Sequence, residues 1–147
     1  MASLLVAGCG LPPADRPAVA PVPPAPDAAL FHDWKITGHV LGAHALISND
    51  DAAELHGRSV VISDTSYVSP WSGRCEEAGR QNTTRVAAEI AIEHDISASR
   101  ADSLGLGASV VEYRMTCAAG SAPGLTLYLG GAHAVACFTG VCYLLGR

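Results

Sequence analysis

The residues best equipped for chemistry are six histidines and five cysteines in a chain of 147 residues. His39 and His44 stand five apart, and His133 sits in Gly131-Ala132-His133-Ala134, which repeats Gly42-Ala43-His44-Ala45. The repeat could mark two halves of a duplication or a paired metal site. In a chain this rich in Ala and Gly, coincidence is the plainer account. His94 lies between Glu93 and Asp95. Flanking carboxylates favour the imidazolium and should raise its pKa, although on a polar turn such a cluster is usually just solvated. Asp33, Glu89 and Glu112 make no acid–base dyad on spacing alone, because a dyad is defined by geometry. The chain lacks a Gly-x-Ser-x-Gly elbow, a His-Glu-x-x-His pair and a phosphate-binding loop. No catalytic residue, resident metal or cofactor is therefore expected, and the chain reads as a non-enzyme.

Aromatic residues are only 5% of the chain. Trp34, Tyr67, Trp71, Tyr113, Tyr128, Phe138 and Tyr143 must then each supply more than the usual share of buried area. The run from Tyr67 to Trp71, followed by Arg74 and Cys75, reads as a binding lip or, more plainly, as a cluster that plugs the core. Trp34, Tyr67, Trp71 and Tyr113 are the candidate ligand-binding residues. The formal charge is −5 and no run of Lys or Arg occurs. Nucleic-acid binding draws its affinity from basic side chains on phosphates, so that class is set aside.

The amino terminus carries a different chemistry. Residues 2–8 are small and apolar, too few to span a bilayer as a helix. They resemble the end of a secretory apolar region, and no basic segment precedes them, which implies a true start further upstream. Val6-Ala7-Gly8-Cys9 resembles the lipobox of bacterial lipoproteins. That resemblance implies acylation of Cys9, an anchor in the membrane, and, with Gly10 rather than Asp next, an outer-membrane address facing the periplasm. Seven prolines follow between residues 11 and 29. Proline lacks an amide donor and fixes φ, so this stretch should be an extended, semi-rigid tether. The expected organisation is a leader remnant and lipobox over 1–9, a tether over 10–30 and one folded domain over 31–147.

With Cys9 assigned to lipid, Cys75, Cys117, Cys137 and Cys142 remain. An even number in an oxidising compartment suggests disulfides. Thr139-Gly140 is a two-residue hairpin signal. The hairpin register places Cys137 opposite Cys142 at a non-hydrogen-bonded position, where α-carbons are close enough to bridge. Cys75–Cys117 is the remaining pair. No two Cys-x-x-Cys units occur, as structural zinc would usually require.

These groups need a scaffold. Residues 31–41, 58–63, 67–68, 109–117, 125–129 and a hairpin over 132–146 read as strands from β-branched content and alternation. Residues 48–57 read as a helix capped by Ser48, with Asp51 in the capping-box position and Gly57 as the stop. Residues 72–83 read as a polar loop. Residues 84–93 fit either a strand, with Val86, Ala88, Ile90 and Ile92 on one face, or an Ala/Glu helix, and the strand is preferred. Residues 96–107 read as a helical turn in a connection. The result is a mainly β domain of about eight antiparallel strands in an up-and-down barrel, with one short helix. Trp34 in an early strand, the helix near 49–56, Cys75 with Cys117, and the closing strands from Leu125 to Leu145 resemble the lipocalin-like barrels, including small ones on proteobacterial envelopes.

That resemblance implies a tethered binding module for a small apolar ligand or for an envelope protein that it would inhibit. A structural or assembly accessory of the outer membrane is the alternative. A lumenal binder should have a cavity open at one barrel end. An inhibitor should have a filled barrel with a rigid protruding loop, such as 67–80. An accessory should expose an apolar patch.

Overall fold

The computed structural model of the chain describes residues 26–118, 122–131 and 133–147. The lipobox with Cys9 and the tether up to residue 25 lie outside the described residues. One antiparallel sheet of nine strand segments dominates: β1 (Asp33–Leu41), β2 (Ser59–Ile62), β3 (Tyr67–Ser69), β4 (Gly73–Cys75), β5 (Ala78–Val86), β6 (Ser109–Cys117), β7 (Leu125–Gly130), β8 (His133–Phe138) and β9 (Val141–Gly146). Their order is β4-β3-β2-β1-β9-β8-β7-β6-β5, a nearly closed barrel.

The ends of that order meet through the chain itself. Only Glu76 and Glu77 separate β4 from β5. Successive antiparallel pairings make the two segments run the same way. One bent path therefore pairs with β3 at its start and with β6 along the rest. The seam is held by the Cys75–Cys117 bridge, with α-carbons 5.7 Å apart. Ala78 N–H also donates to Thr65 O, and Ala118 N–H to Glu77 O, each at 2.9 Å. Closure of this kind leaves little free strand edge.

Two apolar layers follow from strand alternation. The barrel interior holds Leu30, Trp34, Ile36, Tyr67, Tyr113, Met115, Leu125, Leu127, Val141, Tyr143 and their neighbours. A second cluster lies on the outer face: Val40, Val110, Tyr128, Val135 and Cys142 pack against Ile90, Ala91, Ile96, Leu104 and Leu106. The latter residues belong to the β5–β6 connection, which forms α2 (Ala87–Glu93), α3 (Ala98–Ala101) and a 3-10 turn over Asp102–Leu104. In β1 a register shift between Ile36 and Gly38 inserts one extra residue. After this bulge the facing of β1 reverses, so Val40 points outward and Leu41 inward.

The capping box at α1 (Asn49–Ala53) forms as the sequence suggests, with Ser48 and Asp51 exchanging side-chain and backbone bonds. Three expectations are corrected. Residues 84–93 are mostly helix: Ile90 is buried while Ile92 is 75% exposed and Val86 half exposed, so their alternation did not mark a buried strand face. Residues 72–83 are not a loop but hold β4 and most of β5. The domain also begins earlier than residue 31. Residues 26–29 form a 3-10 turn, Leu30 is fully buried, and its carbonyl accepts from Trp34 Nε1 at 3.0 Å.

Candidate functional site

Three of the four candidate ligand residues lie inside packed protein. Trp34, Tyr67 and Tyr113 are fully buried in the barrel core. Tyr67 spends its hydroxyl on Pro123 O at 2.8 Å. Large aromatic side chains and the aliphatic residues between them fill this interior, so these three act as core rather than as the walls of an opening. A surface cavity of about 690 Å³ is lined by Gln81, Asn82, Thr83, Arg85, Glu112 and Arg114 on the outer face of β5 and β6.

Trp71 is placed differently. It sits in the β3–β4 turn, half-buried, at one end of the barrel. Its ring stacks on Tyr143 at 5.1 Å and 14° and on Phe138 at 6.0 Å and 19°. Phe138 is half-buried and opens the turn between β8 and β9. Thr139 and Gly140 both have positive φ, 50° and 81°, as the twist-matched two-residue hairpin turn requires. Across this turn Cys137 pairs with Cys142 at a Cα distance of 4.0 Å. The turn that presents Phe138 is thus pinned by a disulfide. Leu46, 81% exposed, joins the same end, since its N–H donates to Thr139 O at 3.2 Å.

His39 completes this end. Facing inward after the bulge, it lies 6.5 Å from Tyr143 ring to ring. Its Nε2 is 3.0 Å from Asn49 Oδ1 and its Nδ1 is 2.9 Å from His56 Nε2. Because an amide oxygen only accepts, His39 Nε2–H donates to Asn49 and Nδ1 accepts from His56 Nε2–H. This chain of bonds holds α1 and the segment after it against the barrel end.

A polar network lies under α2. Glu112, 3% exposed, points outward from β6. It accepts from Arg85 Nη1 at 2.6 Å and from Arg114 Nε. Arg85 also reaches Glu93 at 2.8 Å, tying β5, β6 and α2 together. Burial pushes the Glu112 carboxyl up, but the two guanidinium bonds and their charges outweigh it and hold the group below its ordinary value. Both arginines are engaged by carboxylates, so the network reads as a structural clasp for the helical flap. His94, half-buried at the end of α2, bonds Tyr128 Oη at 2.9 Å. Burial lowers its pKa more than Glu93 and Asp95 raise it, which reverses the shift expected from its sequence neighbours. His44 and Asp95 do meet, at 3.2 Å, but both are exposed.

Spacing could not have found Phe138 and Tyr143 as partners of Trp71, since the pairing of distant strands brings them together. Among the described residues no helix is long and apolar enough to cross a membrane. No protein-family model matches the chain, and no curated protein or solved structure is detectably similar to it.

Proposed function

We propose that this chain is a non-enzymatic binding module of the bacterial cell envelope, lipid-anchored at Cys9 and displayed on its proline-rich tether, which recognises a partner protein through the aromatic end of its barrel. The reading keeps the lipoprotein and lipocalin-like resemblances for address and ancestry. Of the two binding modes they imply, the filled interior favours a surface that meets a protein over a lumen that holds a small apolar ligand. The observation that carries the proposal is Trp71, stacked on both Phe138 and Tyr143, with Phe138 at a turn flanked by the Cys137–Cys142 disulfide. Binding energy at protein interfaces concentrates in a few aromatic anchors, and pre-ordered anchors lose little freedom on binding.

The alternative, a structural accessory of outer-membrane assembly, is supported by the exposed Leu46 beside the same end. Both readings place a protein there. The test is capture from envelope extract by the tethered wild-type chain and by Trp71→Ala/Phe138→Ala, read by mass spectrometry. The expected result is a protein partner recovered by wild type and lost in the variant. Co-purified lipid with no protein, or a partner retained by the variant, would overturn the reading.

A further inference from the structure

We infer that the Cys137 and Cys142 thiols, together with His94, form a site for a thiophilic d10 cation of the Zn(II) type when the disulfide between them is reduced. A sulfur from each cysteine and one ring nitrogen of His94 lie within 4.8 Å of one another. The cysteines face each other across β8 and β9 at a Cα distance of 4.0 Å. Both side chains project from the outer face, where Cys142 and half-buried Cys137 join the layer under α2. Zn–S bonds of about 2.3 Å in a tetrahedral site put two thiolates about 3.8 Å apart. Side-chain rotation on neighbouring strands reaches that spacing without moving the backbone.

The third ligand is held from three sides. Tyr128 Oη bonds His94 Nε2 at 2.9 Å, which leaves Nδ1 as the nitrogen for the ion, and an outer-shell contact of this kind orients a metal-bound imidazole. The backbone of His94 rests on Gly42, where a Cβ would come within 2.2 Å of His94 O. Ala43 N–H also donates to Asp95 O at 2.9 Å. Gly42 N–H in turn donates to Gly140 O at 2.8 Å, in the turn that joins the two cysteine strands. The same backbone contacts therefore position the histidine and the cysteine hairpin. His94 and Cys137 are half-buried while Cys142 is buried.

The reductant is a dithiol. One of its thiolates attacks a sulfur of the Cys137–Cys142 bond, and its second thiol then displaces the mixed disulfide. The donor leaves as a disulfide, and Cys137 and Cys142 each end with a proton. Metal binding releases those two protons. The hairpin is thus cross-linked covalently in one redox state and through the ion in the other, whatever partner the barrel end recognises.

The test uses the full chain carrying Cys9→Ser, reduced anaerobically with a phosphine that is then removed, and titrated with Co(II). The expected result is an intense thiolate-to-cobalt charge-transfer band that added Zn(II) abolishes. Cys137→Ser/Cys142→Ser should lack it, Cys75→Ser/Cys117→Ser should keep it, and His94→Ala should weaken binding by more than about tenfold. The oxidised chain should show no band. A band that survives in Cys137→Ser/Cys142→Ser, or is undiminished in His94→Ala, would overturn the site. So would a reduced chain that binds no Co(II), whether circular dichroism finds it folded or not.

Discussion

Glu112 is the group whose replacement tests the packing of the flap most sharply. In Glu112→Gln the shape is kept and the charge removed. The Arg85 bond, at 2.6 Å and with Glu112 only 3% exposed, is charge-assisted, and such bonds contribute about 1.5–3 kcal/mol. The Arg114 side chain is 59% exposed, so solvent screening leaves its share below about 1 kcal/mol. An amide also turns an N–H donor toward one guanidinium, which is repulsive. The expected loss is about 2 kcal/mol at neutral pH, or roughly 8 °C in melting temperature for a domain of this size. The sign with pH follows from linkage. The folded carboxyl titrates below its ordinary value of 4.5. Its contribution is therefore complete above the unfolded value and disappears as pH falls through the folded one. Urea denaturation of wild type and variant at neutral and acidic pH should show a gap that closes on acidification. A gap that is constant across pH, or absent at neutral pH, would refute the claim that ionised Glu112 clasps the flap.

Other replacements probe single contacts. Thr139→Asn places a residue tolerant of left-handed backbone where Thr holds φ of 50°, and should raise unfolding free energy by about 1 kcal/mol in urea melts. Gly42→Ala drives a Cβ to 2.2 Å from His94 O and should destabilise by about 1–3 kcal/mol, with faster amide exchange in α2 than in wild type. Tyr67→Phe removes the bond to Pro123 O and should cost about 1 kcal/mol in thermal or chemical melts.

Local chemistry made part of this molecule readable in advance. The Thr139-Gly140 turn fixes the register of β8 and β9, and with it the Cys137–Cys142 pairing, because a two-residue loop leaves the strands no freedom to slip. Ser48 and Asp51 cap α1 within four residues, so that helix start was also visible. The failures have a common cause in long-range pairing. β5 is polar at six of its nine positions and is a strand because all nine of its residues pair with β6, which its own composition cannot announce. Residues 87–93 alternate like a strand, yet Ile90 finds its burial on the outside of the barrel, where a helix fits. Glu112 meets Arg85 across 27 residues of sequence, and Trp71 meets Phe138 only because the β1–β9 pairing joins the two halves of the sheet. The class of fold was legible, while the aromatic end and the clasp needed the closed barrel to exist.

Site-specific photo-crosslinking in intact envelopes puts the proposed recognition surface to the most direct trial. A photoreactive residue at Leu46, 81% exposed at the aromatic end, is compared with one at Ile92, 75% exposed on α2. The account predicts a discrete protein adduct from position 46 that vanishes with Trp71→Ala and has no counterpart from position 92. Adducts of equal strength from both positions, or only lipid attached at position 46, would contradict it.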